Sequence, residues 1–114
     1  MERLHLGEFE EIVLLTVAVL DGNAYGISIK DDIEERLNRK VSVGAMRTAL
    51  NRLEKKGFVE SYFGEATKTR GGKRKRYFVI TSFGRKAIEN AKDTRQLLWD
   101  AMPSVSFIGL PDPS

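Results

Sequence analysis

The sequence predicts a mainly α-helical α+β fold made of three helices, a two-stranded β-hairpin and a final helix. Two observations predict this order. Apolar residues recur at helical spacing as far as Gly57, as in amphipathic helices. From Phe58 to Thr81 the pattern changes to strand-like runs of aromatic and β-branched residues, after which helical spacing returns up to Pro103. The length of 114 residues fits one small domain.

A turn signal separates the first two helices. We expect the first helix to span residues 7–20 and to end at "DGN", residues 21–23, because Asp, Gly and Asn favour turns. The second helix begins near residues 24–25. Its apolar stripe consists of Ile29, Ile33 and Leu37. Its outer face carries charges that we expect to be solvated, namely Lys30, Asp31, Glu34 and Glu35.

The third helix follows a short connection. Ser42 is the expected N-cap, because its hydroxyl oxygen can accept a free backbone N–H of the first turn. Gly57 stands where a helix stop belongs. The residues expected to be buried are Met46, Ala49, Leu50 and Leu53.

Two strands, residues 58–63 and 75–81, are expected to pair as a hairpin with its tip near residues 69–73. Alternation sends Lys75 and Tyr77 to one face and Arg76 and Phe78 to the other. Three helices followed by such a wing form a winged helix-turn-helix. The second helix of a helix-turn-helix lies in the DNA major groove, and here that helix is the third of the chain.

The final helix is expected to end at Pro103. Its apolar positions align at helical spacing, with Ala87, Ala91, Thr94, Leu98, Ala101 and Met102 on one side. We therefore divide the chain into a winged helix-turn-helix over residues 1–82, a dimerisation helix over 83–103 and an irregular tail over 104–114. An apolar stripe without a further domain to cover it needs a partner, which predicts a homodimer.

Positive charge is concentrated in the wing. The chain has 19 basic and 16 acidic residues, a net charge of +3. Outside the segment from Lys68 to Arg76, 13 basic residues face 16 acidic ones, so the remainder is negative. A focused basic patch on an acidic body predicts contact with a polyanion.

The composition argues against an enzyme, a metal site and a cofactor. The chain has no cysteine, and its one histidine, His5, has no orienting partner nearby. The many glutamates lie on amphipathic helices, where solvation explains them. The apolar run of residues 12–20 follows glutamates rather than a basic segment and is too short to span a bilayer, so we expect an intracellular protein.

The third helix is the predicted DNA-reading element. Arg can pair with guanine and Asn with adenine, while Lys and Thr can contact phosphates. Small residues in the first turn allow close approach to DNA. The predicted contact residues are Ser42, Gly44, Arg47, Thr48, Asn51, Arg52 and Lys55. The competing interpretations are an ordinary solvated face and a winged-helix protein-interaction module that does not bind DNA.

The wing should contribute affinity rather than sequence choice, because basic tips bind the DNA backbone or the minor groove. The predicted contacts are Lys68, Arg70, Lys73 and Arg74. A nucleotide-binding loop is a poor alternative, since "RGGKRK" lacks the full Walker spacing and no helix follows it directly. A nuclear-localisation signal would need the same basic run, but it leaves the flanking aromatic residues unexplained.

The chain resembles the PadR family of transcriptional regulators, in its short, single-domain form. The resemblance depends on "YG" at residues 25–26, "RLEKKGFV" at 52–59, "KRYFVIT" at 75–81 and Gly84. It implies a cytoplasmic homodimer that binds double-stranded DNA and, as in most members, represses transcription. Similar proteins have a Tyr where "MRTALNRLE" has Arg47, so the DNA sequence that is read can differ.

The resemblance also implies that the last helix and the first helix form the dimer contact. Some members release DNA when they bind an aromatic or hydrophobic compound, which leaves such an effector open for this chain. The residues expected at the dimer contact or effector pocket are Phe9, Leu98, Trp99 and Met102. Trp99 is either an anchor of the dimer core or a stacking surface for a ligand.

Overall fold

The structure, a computed structural model, describes residues 6–64 and 74–103. Within these residues the chain forms α1 (Glu8–Leu20), α2 (Gly26–Leu37), α3 (Val43–Lys55), β1 (Val59–Phe63), β2 (Arg76–Ile80) and α4 (Ser82–Ala101). The predicted order of three helices, hairpin and final helix is confirmed. The predicted hairpin tip and the tail over 104–114 lie outside the described residues.

One hydrophobic core joins α1, α2 and α3 to the wing formed by β1 and β2. All four residues predicted to be buried on α3 are buried. Phe58, just before β1, is fully buried and Phe78 of β2 is also in the core. On the apolar stripe of α2, Ile29 and Ile33 are buried, whereas Leu37 is 48% exposed. It is the last residue of α2, and Asn38 then turns the chain with a left-handed φ of +52°.

The turn between α2 and α3 is fixed by side chains. The Ser42 hydroxyl accepts a hydrogen bond from the backbone N–H of Ala45 at 3.0 Å, which confirms the predicted N-cap. The Glu34 carboxylate accepts the N–H of Val41 at 2.8 Å, and this bond lowers the pKa of Glu34, with a smaller contribution from Lys30. Glu34 was predicted to be merely solvated, and it instead fixes the position from which α3 begins.

The wing is a two-stranded antiparallel ladder that runs from Val59 opposite Ile80 to Phe63 opposite Arg76. The predicted alternation is confirmed. Tyr77 and Lys75 both contact the ring of Tyr25, whereas Arg76 and Phe78 lie on the other face. The backbone N–H of Phe78 donates to the carbonyl oxygen of Ala24 at 2.8 Å, so β2 is attached to the segment that leads into α2.

The start of α4 is locked onto the wing. Thr81 is the N-cap, and its hydroxyl accepts the N–H of Gly84 at 3.0 Å while donating to the carbonyl oxygen of Gly57 at 2.7 Å. From Lys92 to Pro103, by contrast, every residue is exposed. The helix therefore leaves the core after its first turns.

Candidate nucleic-acid interface

The outward face of α3 carries the residues predicted to contact DNA. Each of them is exposed: Ser42, Gly44, Arg47, Thr48, Asn51, Arg52 and Lys55. Ser42 lies at the start of the helix, where its hydroxyl is occupied as the cap. The opposite face of the helix is buried through Met46, Ala49, Leu50 and Leu53.

The side chains on this face differ in whether they have protein partners. Within residues 6–64 and 74–103, Arg47, Asn51 and Lys55 make no side-chain hydrogen bond or ion pair. Arg52 points toward α1, with Nη1 3.8 Å from Oε2 of Glu10. Nothing in the described part of the chain thus occupies these three polar groups, while Arg52 is shared with α1.

Glu10 pairs with two cations, Arg52 and Lys56, at the C-terminal end of α3. It is 8% exposed, and its Oε1 accepts a hydrogen bond from Nζ of Lys56 at 2.6 Å. The neighbouring Glu11 is equally buried and pairs with Arg95 of α4. The expectation that helical glutamates are simply solvated was wrong for both residues. The pattern within α1 could not reveal this, because the partners are distant in sequence.

A second carboxylate ties α3 to the wing. Glu54 accepts hydrogen bonds from Nη2 of Arg76 at 2.6 Å and from the Ser61 hydroxyl at 2.7 Å. Arg76 Nε also donates to the Ser61 oxygen at 3.1 Å, so Glu54, Ser61 and Arg76 each contact the other two. The sequence contained both charges, but only the register of the wing brings them together.

Among the predicted wing cations, the structure describes only Arg74. Its Nε donates to the carbonyl oxygen of Gly64 at 2.8 Å, just beyond the last strand pair on the loop side of the hairpin, and its guanidinium lies 5.8 Å from the centre of the Phe63 ring. The other three predicted contacts lie outside the described residues, namely Lys68, Arg70 and Lys73.

Helix α3 and the wing share one concave surface, which we call the α3–wing surface. A hollow of about 440 Å³ lies between the start of α2, α3 and β2. Tyr25, Ile27 and Val43 give it apolar walls. Cationic side chains also line it, namely Lys30, Arg47, Lys75 and Arg76. Lys75, which sequence reasoning did not place at the site, lies with Nζ 4.3 Å from the centre of the Tyr25 ring.

The residues predicted for the dimer contact or effector pocket separate into two places. Leu98, Trp99 and Met102 lie together at the exposed end of α4. Phe9 lies at the start of α1, where it lines a hollow with Gly44 and Thr48 of α3 and stacks beneath Arg39 at 5.5 Å. The structure therefore does not bring Phe9 together with the other three within one chain.

A separate hollow of about 420 Å³ lies between α1 and α4. Trp99, Leu15 and Ile88 supply its apolar lining, and Glu11 and Arg95 also border it. Leu15, rather than Phe9, is thus the α1 residue beside Trp99. The sequence could have suggested Leu15 as a contact residue, because it belongs to the apolar run of α1 but lies off the buried stripe of that helix.

Within the described parts of the chain, no cluster of three or more His, Cys, Asp or Glu side chains could hold a metal ion. None of the helices there is long and apolar enough to cross a membrane.

Comparison with known proteins decides the family. The model of the transcriptional regulator PadR-like family matches residues 14–90. The chain belongs to this family. Its members are transcriptional regulators that bind DNA, which agrees with the winged helix and confirms the prediction that the chain is not an enzyme. A protein of Lysinibacillus sphaericus with no assigned function is 35% identical over 81 residues, 69% of this chain and 70% of its own length.

Solved structures agree with this membership. A PadR-family regulator from Clostridium difficile is 28% identical with a TM-score of 0.64, covering 86% of this chain and 98% of its own. A transcriptional regulator from Clostridium thermocellum is 26% identical with a TM-score of 0.65, covering 80% and 85%. A PadR-like transcription factor from Bacteroides fragilis, at 19% identity, has the same fold with a TM-score of 0.70 over 89% of each chain.

Proposed function

We propose that this regulator reads a specific DNA sequence with α3 and represses transcription as a cytoplasmic homodimer. The observation that supports the DNA-reading role is the set of polar side chains on α3 that have no partner among residues 6–64 and 74–103 and that lie beside the cations of the wing. A face that is only solvated has no need to continue into a concave, basic surface that extends from α3 onto the wing. The family supplies DNA binding, and the resemblance to regulators that mostly repress supports the direction of regulation.

In this proposal some residues of α3 contact bases and others contact phosphates. Arg47 and Asn51 reach base edges, because their side chains offer the paired donors and acceptors that recognise guanine and adenine. Thr48 and Lys55 contact phosphates, and Gly44 and Ser42 in the first turn let the helix approach closely. Arg52 can leave Glu10 for a phosphate, since a separation of 3.8 Å at an exposed guanidinium is a weak ion pair.

The wing supplies affinity that is independent of sequence. Arg74 lies on the loop side of the hairpin, and Lys68, Arg70 and Lys73 precede it in the sequence of that loop. Lys75 and Arg76 extend the same charge down to the hollow beside α3. A DNA backbone that crosses the α3–wing surface would therefore meet cations on both sides.

The homodimer is supported by the exposed half of α4. Leu97, Leu98 and Trp99 are 72%, 64% and 69% exposed, an arrangement that a single chain in water does not favour. Leu15 and Val19 on α1 are exposed as well. A second copy that pairs α4 and α1 with their counterparts would cover all of these side chains, with residues 1–82 left to bind DNA.

The hollow beside Trp99 supports a small aromatic or hydrophobic effector. Its size of about 420 Å³ lies in the range of small-molecule sites, and its lining combines an indole ring with aliphatic side chains. Trp99 is the only tryptophan, so its fluorescence reports on this site. Titration with planar aromatic compounds should give a saturable change in the parent protein and none in Trp99→Phe excited at tryptophan wavelengths.

Selection of bound sequences from a random DNA pool at two salt concentrations tests the DNA-reading role. We expect Asn51→Ala to relax the preference at one base position, at a cost of about 1–3 kcal/mol. Lys55→Ala should weaken binding to all duplexes equally and reduce the salt slope by about one. Lys86→Ala, which removes a cation on exposed α4, is the matched control. Equal selection and affinity for all three variants and the parent would contradict the assignment.

A further inference from the structure

Two adjacent carboxylates on α1 hold two different helices. Glu10 receives Lys56, which directly follows α3, with Nζ and Oε1 2.6 Å apart. Glu11 receives Arg95 of α4, with Nη2 2.9 Å from Oε1 and Nη1 3.1 Å from Oε2. Both carboxylates are 8% exposed, whereas the Arg95 side chain that reaches Glu11 is 63% exposed. Helix α1 therefore connects the proposed DNA-reading helix to the proposed dimerisation helix.

The contact of Arg95 is suited to fixing an angle. Two nitrogens of one planar guanidinium meet two oxygens of one carboxylate, and such a forked pair constrains orientation as well as distance. It lies where α4 has already left the core, because Ala87 is the last buried residue of the helix. Arg95 thus holds the exposed half of α4 against α1.

The angle of α4 has consequences at the DNA. A helix of 20 residues is about 30 Å long, so a rotation of about 10° moves its end by about 5 Å. That displacement exceeds the rise of about 3.4 Å per base pair. A dimer joined through α4 would transmit any such rotation to the separation of its two α3 helices.

We propose that the Glu11–Arg95 pair is a positioning contact that sets the spacing between the two DNA half-sites this protein accepts. The inference rests on the proposed function, because it requires a homodimer joined through α4. Glu10 completes the connection, because its ion pair with Lys56 attaches the end of α3 to α1. Since Glu10 and Glu11 are adjacent, α3 and α4 are both attached to the same turn of α1. Neither Glu11 nor Arg95 needs to touch DNA.

Binding to operators of altered spacing tests the proposal. The best two-half-site duplex selected by the parent is compared with duplexes whose centre is lengthened or shortened by one and two base pairs. In Arg95→Gln the preference for the best spacing should fall by about two- to thirty-fold, the usual range for residues that carry coupling between sites. Affinity for an isolated half-site should stay at the parent value, which a general loss of structure would not allow.

Arg85→Gln is the matched control. Arg85 is an exposed arginine of the same helix, and it pairs with Glu89 one turn away rather than with another element, so its removal should leave the spacing preference unchanged. Glu11→Gln removes the other partner of the bridge and should reproduce Arg95→Gln, which keeps the test valid if one variant folds poorly.

The outcomes separate this inference from the proposed function. A parent protein that selects no two-half-site duplex would overturn both. A parent with a sharp spacing optimum, matched by an equally sharp optimum in Arg95→Gln and Glu11→Gln, would overturn the positioning role alone.

Discussion

Gly84 shows how one residue can be required by a contact between elements rather than by backbone flexibility. A Cβ at this position would overlap the carbonyl oxygen of Phe58 and lie 2.9 Å from its carbonyl carbon. The first turn of α4 passes this close because the N–H of Thr81 donates to that same carbonyl at 3.0 Å. A side chain here could be accommodated only by moving α4 away from the wing.

Gly84→Ala should therefore lower the free energy of unfolding by about 1–3 kcal/mol, the usual cost of forcing atoms into a packed site. Urea denaturation measures the change. Gly44→Ala is the control, because Gly44 also lies in the first turn of a helix but has no atom within 4 Å of an added Cβ. Its stability should be unchanged or slightly higher, since Ala favours helices. Equal destabilisation of both variants would contradict the explanation.

Two of the single-residue predictions failed because the side chain has a distant partner. Glu10 and Glu11 both occupy an amphipathic helix, and periodicity within that helix assigns them to solvent. Their partners, Lys56 and Arg95, are 46 and 84 residues away along the chain. Only packing of α1 against α3 and α4 brings these charges together, and no local pattern encodes that packing.

Whole elements were predicted more successfully than individual contacts. The four apolar residues of α3 are spaced so that they lie on one face of the helix and are all buried. The polar residues between them therefore lie on the opposite, exposed face. Alternation in β2 likewise fixed which side chains face the core. Leu37 continues the apolar stripe of α2 and is nevertheless exposed, because burial at the last residue of a helix depends on where the turn at Asn38 directs the chain.

The contacts among Glu54, Arg76 and Ser61 join α3 to the wing, and the negative charge of Glu54 opposes the positive charge of the α3–wing surface. Neutralising Glu54 releases the Arg76 guanidinium toward an external anion. We expect Glu54→Gln to increase the affinity for non-operator DNA and to steepen the salt slope by about one, because one more cation is available to a phosphate. The unfolding free energy should fall by no more than about 1 kcal/mol, since the pair is partly exposed.

Salt-dependent binding to a random duplex measures this effect, and Glu60→Gln is the control. Glu60 is an exposed carboxylate of β1 that has no side-chain partner among the described residues, so the overall charge changes equally in both variants. The same rise in affinity for both would mean that net charge alone, rather than release of Arg76, explains the result.

At the scale of the whole molecule, the described residues present two different surfaces. The α3–wing surface combines cations with exposed apolar side chains such as Ile27 and Val43, whereas the far end of α4 exposes Leu98 and Trp99. The sequence indicated both surfaces, through the basic segment of the wing and the apolar stripe on the last helix. It did not indicate that α4 leaves the core after Ala87, because that depends on how far α1 extends beside it.

Trp99→Ala should weaken self-association. A large aromatic side chain that is buried at a dimer contact contributes at least about 2 kcal/mol, which corresponds to about a thirty-fold increase in the dimer dissociation constant. Analytical ultracentrifugation over a range of concentrations measures it. Ile27→Ala is the control, because Ile27 is similarly exposed but lies on α2 beside the α3–wing surface. A parent protein that remains monomeric, or a Trp99→Ala variant that associates as tightly as the parent, would show that the exposed half of α4 is not the dimer contact.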